Sequence, residues 1–511
     1  MGTKVLIGLI VSGLALLTVG LSLLFGYPSI YCRQTSLIRG TDAYEEWVQP
    51  DLPRYMKYHM FSYNNSEEFI SGLDDKPSLE EVGILSYREV SEKLDVDYGK
   101  KSASVVYVNN KQYIFDPLSS TMNESDVINV PNIMLFTVIS TAPLMERAIV
   151  ELKLNEWARE NDSSLQNAVS PFYDVEAAEF LWGRNNNSLL VNLQKLVGGP
   201  NSFGMQANNS NDGQYKIRTG KGNLNHRRGK IIKWNDATNV SFWSDTYSNM
   251  INGTDGQVFP ADVNKNKRLY VFDSDMCRSL YLLRDTENPV DEVEGLRTTK
   301  FTVPSQLFKV DFEDNAAFCK QGDVNLCLGN GLIDVSKCQS YMVEYRTGQP
   351  MDISIIMSAP HFLYADNSTI NSIIGLSPPD KDLHETYVTI NTESGVAISA
   401  AKRVQVNTQM RKFHLDSLKS LPSDWTYILP LFWAEEILEV DSDVVSELKN
   451  SHNLYIASTV ASLVLIAIGV VLLIGALASV MFFDKKKKDY ELVAEDLERD
   501  ADTVPIHAVE H

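Results

Sequence analysis

The sequence predicts an α+β protein in which a β-rich segment lies between two membrane-spanning helices. The first observation is the run at residues 454–483, thirty residues without a charged side chain, whereas about twenty apolar residues suffice to cross a bilayer core. The second is a shorter uncharged run at residues 5–25. The third is the sequence between them, which mixes β-branched and aromatic stretches with turn residues and shorter helical patterns.

The charges that follow the second run indicate its orientation. Four lysines occupy residues 485–488, and a lysine cluster at the end of a span marks the cytoplasmic side. The first run is longer than a signal-peptide core of about 7–15 residues and precedes a poor cleavage site, so it predicts an uncleaved anchor. We therefore expect two membrane passes with both chain ends in the cytosol. The expected regions are a cytosolic start (1–4), a first span (5–25), an ectodomain (31–453), a second span (454–483) and a cytosolic tail (484–511).

The segment between the spans is acidic and has the features of an exoplasmic domain. The chain has a formal net charge of −20, which argues against nucleic acid as a partner. Its Asn-x-Ser/Thr sequons lie between the two apolar runs, where N-glycosylation is expected. The predicted glycosylation sites are Asn64, Asn123, Asn161, Asn186, Asn208, Asn239, Asn252 and Asn367.

The cysteines predict disulfides and no metal site. Four of the five lie between residues 277 and 338, and in an oxidising compartment they predict two disulfides with three possible connectivities. The fifth, Cys32, is expected to be unpaired or to join a second molecule, so a homo-oligomer remains open. The sequence lacks a C-x-x-C motif and paired histidines, so we expect no zinc and no cofactor.

The first half of the ectodomain predicts strands followed by a helical insert. Residues 47–72 combine aromatics, prolines and turn residues, as strands and loops do, and residues 104–115 predict a hairpin that turns at Asn109-Asn110. From residue 143 to 196 the character is helical, beginning with LMERAIVELKLNEWARE. A second helix is predicted from Asp174, as its N-cap, to Gly183, as its stop.

The second half returns to a β pattern. RLYVF at residues 268–272 predicts a strand, and two further strands are predicted on either side of the turn at residues 392–395. A basic stretch at residues 216–233 is interpreted as a solvated strand-and-turn face in an acidic protein. His361 is predicted to be packed or hydrogen-bonded, because no candidate nucleophile accompanies it, and we expect no enzymatic activity.

Several long stretches resemble a known family. They are MINGTDGQVFP (250–260), DMCRS (275–279), AEFLWG (178–183) and, above all, SAPHFLYAD (358–366) with GLSPPDKDLHETYVTINTESGVAISAAKRVQVN (375–407). On these residues the chain resembles the class B scavenger receptor family, which includes fatty acid translocase, the high-density-lipoprotein receptor and lysosomal integral membrane protein 2. The resemblance implies an antiparallel β-barrel-like ectodomain with a helical apex at residues 143–196 and an internal lipid tunnel.

The resemblance also implies a pairing of cysteines and a function. It implies the disulfides Cys277–Cys338 and Cys319–Cys327. It further implies a membrane glycoprotein that binds lipids or lipoprotein particles and mediates lipid uptake or transfer through the tunnel. The alternative is a sorting receptor that binds a luminal protein and delivers it to lysosomes.

The apex departs from what some family members have. Between residues 144 and 182 there are eight acids and three bases, so capture of anionic particles would meet like charge, and residues 143–196 contain no histidine that could act as a pH switch. The side chains expected to capture ligand are nevertheless apical: Arg147, Lys153, Trp157 and Arg159.

The tail contains a candidate sorting signal. Tyr490-Glu-Leu-Val493 resembles the signals that bind clathrin adaptors, in which a bulky apolar residue follows the tyrosine at the third position. We therefore expect the protein at the plasma membrane, in the endosome and lysosome membrane, or in both.

Overall fold

The computed structural model describes residues 3–501 except 53, 100–102, 143–144, 184–203, 223–224, 262, 264–267, 314, 320–321, 323, 349–352, 412 and 422–425. The chain divides into two compact units. One unit contains residues 34–445, and the other contains both chain ends, residues 1–33 and 446–511.

The terminal unit is built on two long helices, α1 (Thr3–Gln34) and the last helix, α11 (Ser442–Ala501). Both are long and apolar enough to cross a membrane. Their large apolar side chains are widely exposed, for example Phe25 and Val471, which is expected of residues that face lipid. The helix α11 continues well beyond residue 483, the end predicted from the apolar run. The pairs Lys488–Asp484 (3.8 Å) and Lys487–Glu491 (3.5 Å), each four residues apart, stabilise this extension.

Glycines bring α1 and α11 into close contact. A Cβ atom added at Gly13 would lie 2.9 Å from Leu473 Cγ, and one added at Gly20 would lie 2.8 Å from Ile466 Cγ1. A Cβ atom at Gly469 would lie 2.8 Å from the carbonyl oxygen of Gly13. Small residues that allow backbones to approach are typical of helix pairs in membranes.

The larger unit is α+β. Its helices are α2 (Asp42–Val48), α3 (Ser66–Ser71), α4 (Ile133–Thr141), α5 (Arg147–Arg159), α6 (Ser163–Ala168), α7 (Ala177–Trp182), α8 (Ser336–Thr347), α9 (Asn367–Ile370) and α10 (Lys381–His384). Short 3₁₀ turns cover Asn225–Arg227, Ser305–Phe308, Asn315–Phe318, Val324–Leu326, Pro360–Phe362 and Asp416–Leu418. Its strands are β1 (Arg54–Tyr63), β2 (Leu79–Tyr98), β3 (Ser104–Phe115), β4 (Val127–Pro131), β5 (Phe172–Glu176), β6 (Ser210–Arg218), β7 (Ile231–Trp234), β8 (Leu269–Asp273), β9 (Arg278–Arg284), β10 (Glu292–Val293), β11 (Leu296–Thr302), β12 (Ile333–Asp334), β13 (Ile356–Ser358), β14 (Tyr387–Asn391), β15 (Ala397–Arg411) and β16 (Thr426–Glu439).

One large antiparallel sheet organises this unit. Among the described residues it has 14 strands, in the order β7-β6-β3-β2-β1-β16-β15-β14-β11-β9-β8. Strand β10 pairs with β11, and β12 joins through β13 to β15. Strands β4 and β5 form a separate two-stranded sheet beside the helices α4 to α7. The N- and C-terminal parts of the unit meet at the centre of the sheet, because β1 pairs with both β2 and β16.

Aromatic side chains form much of the core. Tyr58, Tyr87 and Phe432 are buried, and their rings pack edge to face around Tyr58 with centroids 5.9 Å and 5.7 Å apart. Trp182, at the end of α7, packs on the same two tyrosines, so the helical insert is tied to the centre of the sheet. Buried aromatic pairs of this kind stabilise a core beyond their buried area by roughly 0.5–1.5 kcal/mol each.

The elements predicted from the sequence agree with the structure in most places. The helix predicted at LMERAIVELKLNEWARE (144–160) is found as α5, Arg147–Arg159. The strand near 268–272 and the two strands around the turn at 392–395 are also confirmed. The hairpin at Asn109-Asn110 is wrong, since both residues lie inside the single strand β3. Asp174 is not an N-cap: it lies in β5, and α7 begins only after Glu176, although Gly183 ends that helix as predicted.

Candidate functional site

A cavity of about 620 Å³ lies within the sheet-rich unit. Its wall combines strands β1, β3, β6, β8, β9, β14, β15 and β16 with α8, so residues from Arg54 to Leu438 contribute. The volume falls within the range of about 300–1,000 Å³ that ligand pockets have. Much of the wall is apolar, including Met56, Phe259, Leu280, Leu282, Val303, Leu307, Ile353, Val388, Val404 and Val406.

Lys111 places a positive charge in this wall. Its Nζ atom lies 3.2 Å from Glu89 Oε2 and 3.8 Å from Glu436 Oε1. Burial acts to lower the pKa of Lys111, but the carboxylates of Glu436 and Glu89 outweigh it and raise that pKa above its ordinary value. Lys111 in turn is the main cause that lowers the pKa of Glu436. Both residues therefore remain charged at neutral pH.

Lys402 adds a second cation beside the first. The register of β15 and β16 sets Lys402 opposite Glu436, and Lys402 Nζ lies 2.8 Å from Asp273 Oδ2 and 3.2 Å from Asp275 Oδ2. Burial again opposes the charge on Lys402, yet Asp273 and Asp275 raise its pKa above the ordinary value. Two ammonium groups and four carboxylates thus form a charged cluster, defined here as Glu89, Lys111, Asp273, Asp275, Lys402 and Glu436.

A neighbouring carboxylate, that of Asp212, also belongs to the cavity wall. The hydroxyls of Tyr215 and Ser274 donate to Asp212 Oδ2 at 2.7 Å and 2.6 Å, and Oδ1 has no hydrogen-bond partner among the described residues. Burial raises the pKa of Asp212.

A histidine cluster (His59, Glu81, His361 and His384) lies beside the cavity and reaches it through His384. Glu81 joins two of the histidines: its Oε1 lies 2.8 Å from His59 Nδ1, and its Oε2 lies 3.0 Å from His361 Nε2. Burial opposes ionisation of Glu81, but hydrogen bonds from His361 and His59 outweigh it and lower its pKa to about 2. Glu81 is therefore ionised across the physiological range.

His361 has two further contacts, both at its Nδ1 atom. Ser377 presents both its carbonyl oxygen and its hydroxyl at 3.0 Å from His361 Nδ1. At Nδ1 the ring can accept from the hydroxyl or donate to the carbonyl, according to its tautomer, and Nε2 lies 3.0 Å from Glu81 Oε2. Both ring nitrogens of His361 therefore have hydrogen-bond partners.

His384, by contrast, is held neutral. The backbone N–H of Asp380 donates to its Nδ1 at 2.9 Å, which requires the unprotonated nitrogen. Its ring stacks on that of His361 with centroids 4.3 Å apart. Burial first, and the neighbouring His361 second, lower the pKa of His384 to about 4. The described residues include no group of three or more His, Cys, Asp or Glu that could hold a metal ion.

The backbone around His361 is conformationally unusual. His361, Phe362 and Tyr364 have φ values of 51°, 58° and 73°, in the left-handed region that side chains other than glycine rarely adopt. The amide of Gln405 fixes the segment by accepting from His361 N–H at 2.7 Å. Such strain persists only where the surrounding structure enforces it, and it is concentrated at functional positions.

The four predicted capture residues of the apex are mostly used within the protein. Arg147 donates to the carbonyl oxygens of Ile139 and Ser140, at the end of α4, at 3.0 Å and 3.1 Å. Arg159 pairs with Asp416, and Trp157 is buried. Lys153 pairs at the surface with Glu156 at 2.9 Å.

The same helix has an exposed apolar stripe that the sequence prediction did not include. Ile149 and Leu152 of α5 are 67% and 59% exposed and share one face of the helix, and Met145, two residues before the helix begins, is 93% exposed. An apolar stripe of this kind is a candidate contact for a partner.

The structure contains two disulfides, Cys277–Cys338 and Cys319–Cys327, the pairing that the resemblance implied. Of the sequon asparagines, Asn186 lies outside the described residues. Asn64, Asn123, Asn161, Asn208, Asn239 and Asn367 are exposed, and Asn252 is partly buried.

The tail residues of the candidate sorting signal are accessible. Tyr490 and Val493 are 73% and 57% exposed, and both lie on the extension of α11. Three residues apart on a helix, they share one face.

The sequence analysis did not predict the cavity wall, the charged cluster or the partners of His361. The available signal was a set of charged residues inside β-patterned stretches, such as Lys111 in β3 and Lys402 in β15. Sheet topology decides which residues these side chains contact, because it joins strands more than 300 residues apart in the chain.

Comparison with known proteins identifies the family. The sequence model of the CD36 family matches residues 6–480, nearly the whole chain. The chain is 34% identical to lysosome membrane protein 2 of Rattus norvegicus over 442 residues, which cover 85% of each protein. It therefore belongs to the CD36 family, the class B scavenger receptors.

Two further relatives show the breadth of this family. Sensory neuron membrane protein 2 of Heliothis virescens is 27% identical over 489 residues, 89% of each protein. Scavenger receptor class B member 1 of Mus musculus is 28% identical over 449 residues, 84% of this chain and 80% of the relative. All of these relatives are named as membrane proteins or receptors, and the two long apolar helices of this chain fit a two-pass membrane protein.

Proposed function

We propose that this protein is a two-pass membrane receptor that binds lipid, free or in lipoprotein particles, and transfers it through a barrel-like ectodomain. The observation that carries the proposal is the cavity of about 620 Å³ with apolar walls, in a family that includes a scavenger receptor. In this proposal the cavity is one section of a tunnel, and residues 31–453 form the ectodomain.

The physical basis is the cost of exposing an acyl chain to water. Each methylene group moved from water to an apolar environment gains about 0.8 kcal/mol, so a sixteen-carbon chain gains on the order of 10 kcal/mol. A real pocket returns less, because binding costs freedom of motion. Transfer down a concentration gradient needs no energy source, and the two helices then serve as anchors.

A variant with a blocked cavity tests the proposal. Ala400 belongs to the cavity wall, so Ala400→Trp fills part of the space. Leu118→Trp is the matched control, because it adds the same ring at a residue that is 96% exposed. Cells expressing the parent and the control should take up a labelled lipid at equal rates, and the Ala400→Trp cells at less than about a third of that rate. Equal uptake by all three, or purified protein without lipid in a mass-spectrometric extract, would refute tunnel transfer.

The alternative is a receptor that carries a luminal protein to lysosomes. The exposed stripe at Met145, Ile149 and Leu152 favours it, together with the similarity to lysosome membrane protein 2. Cross-linking in intact compartments should capture a luminal protein on the parent, and Leu152→Glu should abolish the capture. If Leu152→Glu also lowers lipid uptake, the stripe serves the lipid function instead.

A further inference from the structure

We propose that the charged cluster is a headgroup subsite that selects uncharged, hydroxyl-bearing lipids, such as acylglycerols, over ionised fatty acids. This inference rests on the proposed function and names the class of lipid. It concerns the interior of the cavity, where Lys111 and Lys402 lie in a mostly apolar wall.

The first argument is that the two lysines of the cluster are already neutralised. Lys111 has two carboxylate neighbours within 3.8 Å, and Lys402 has two within 3.2 Å. A fatty-acid carboxylate would have to displace one of these carboxylates or lie beside it. Like charges in a site of low dielectric repel strongly, so the pocket opposes an ionised headgroup.

Among the residues that the structure describes, the formal charges of the wall give no cationic excess. It contains five basic side chains, Arg54, Lys111, Arg346, Lys402 and Arg403, and six acidic ones, Asp212, Asp255, Asp273, Asp275, Glu385 and Glu436. His384 is also in the wall, and burial and His361 favour its neutral form. By this count of formal charges, the described part of the wall has no net positive charge that would attract a free anion.

The second argument is that the charged atoms remain reachable. The side chains of Lys111 and Glu436 are 24% and 22% exposed, and those of Lys402 and Asp275 are 40% and 53% exposed. Ammonium donors and carboxylate acceptors thus stand side by side. A hydroxyl can donate to a carboxylate and accept from an ammonium group, whereas a fatty-acid carboxylate can only accept. Neighbouring hydroxyls, as in a glycerol headgroup, match this alternation.

The test compares two lipids that share one acyl chain. Full-length protein in nanodiscs is titrated at pH 7 with monopalmitoylglycerol and with palmitate, and each dissociation constant is measured. We expect monopalmitoylglycerol to bind at least about tenfold more tightly. Equal affinities, or tighter binding of palmitate, would overturn the inference. Lysophosphatidylcholine with the same chain is the third probe, and its tighter binding would reassign the subsite to zwitterionic headgroups.

A charge-changing variant makes the test independent of lost folding. Asp275→Asn with Glu436→Gln removes two carboxylates, leaves both lysines and should raise the affinity for palmitate about tenfold. Misfolding cannot produce a gain of this kind. Glu67→Gln with Glu68→Gln removes two exposed acids of α3 and should change neither affinity. An unchanged palmitate affinity in the Asp275→Asn, Glu436→Gln variant would refute the headgroup subsite. The cluster would then have only the structural role of joining strands.

The outcomes also separate this inference from the proposed function. If both lipids bind equally and Ala400→Trp still blocks their uptake, the headgroup selection fails and lipid transfer stands. If no lipid binds and Ala400→Trp has no effect on uptake, both the headgroup selection and the proposed lipid transfer fail.

Discussion

At the scale of single residues, the histidine cluster shows what a sequence can and cannot reveal. The sequence predicts that His361 is packed or hydrogen-bonded, and the structure places it between Glu81 and Ser377. Its surroundings could not be predicted, because Glu81 precedes it by 280 residues and is brought near by the pairing of strands. The cluster combines one ring that is hydrogen-bonded at both nitrogens, that of His361, with one, that of His384, that is held neutral.

The neutral His384 predicts a pH dependence of stability. Its pKa is about 4 in the folded protein and 6.5 ordinarily, so the unfolded chain binds more protons between those values. The contribution of neutral His384 to the free energy of unfolding is therefore complete above pH 6.5 and is lost as the pH falls towards 4. After allowance for partial solvation, this loss is about 1–2 kcal/mol. His384→Asn, which retains an acceptor for the Asp380 N–H, should flatten the fall in Tm over this interval. His414→Asn, at an exposed position, is the control and should follow the parent.

Glycosylation at Asn208 is opposed by the contacts of its side chain. Asn208 Nδ2 donates to the carbonyl oxygen of Tyr113 at 2.9 Å, and Asn208 Oδ1 accepts from the backbone N–H of Tyr113 at 2.8 Å. A glycan attached to Nδ2 would have to disrupt these two hydrogen bonds, which extend the hydrogen bonding of strand β3. We expect mass spectrometry of tryptic peptides to find Asn161 and Asn239 modified and Asn208 unmodified. Full occupancy at Asn208 would contradict this expectation.

At the scale of elements, the wrong hairpin at Asn109-Asn110 has its cause in the buried polar side chains of β2 and β3. From residue 89 to 94, strand β2 buries Glu89 and Lys93 and exposes Val90 and Leu94, the reverse of an ordinary amphipathic strand. Lys93 Nζ donates to Asn109 Oδ1 at 2.8 Å, so the asparagine that suggested a turn is an interior partner of a lysine. Burial lowers the pKa of that lysine to about 7. Helices with clear periodicity, such as α5, were predictable because their packing follows the ordinary rule.

The contact between the two long helices gives a testable prediction at this scale. Gly469→Leu forces a side chain into the backbone of α1, and such overpacking costs about 1–3 kcal/mol. The rings of Tyr27 and Tyr455 lie 6.2 Å apart on the same two helices. A cross-link between cysteines placed at these two positions should form in the parent and weaken in Gly469→Leu. Gly475→Leu is the control, because a Cβ atom there meets nothing within 4 Å, and a loss of cross-linking in it as well would disprove the predicted interface.

At the scale of the whole molecule, the sequence defined the two apolar ends and the family, and these agree with the structure and the comparisons. The α+β class and the large antiparallel sheet also followed from it. The resemblance implies an internal tunnel, but the residues that line the cavity could not be predicted, because they are spread between Arg54 and Leu438 and share no local pattern. Long-range pairing of strands, which local propensity does not encode, creates both the cavity and its charges.

Topology is the first whole-molecule property to test. The lysines at 485–488 and the position of the sequons predict that both chain ends are cytosolic. Epitope tags at either end should be hidden from antibody in intact cells and become accessible after permeabilisation, while a tag inserted beside Leu118 should be accessible without it. A terminal tag that is accessible in intact cells would refute the two-pass arrangement.

The second whole-molecule property to test is sorting, which we expect to depend on Tyr490 and Val493 in the C-terminal tail. Tyr490 and Val493 are exposed on one face of the extension of α11, which begins a few residues after the apolar run. If they bind a clathrin adaptor, Tyr490→Ala should raise the fraction of protein at the cell surface at least about twofold and slow its internalisation, since the aromatic anchor is lost. Leu497→Ala, which truncates another exposed apolar residue of the same helix, should leave both measurements unchanged. Surface biotinylation followed over time measures both quantities, and identical curves for the parent and Tyr490→Ala would show that the motif is a chance match. Transport to lysosomes would then depend on contacts of the ectodomain.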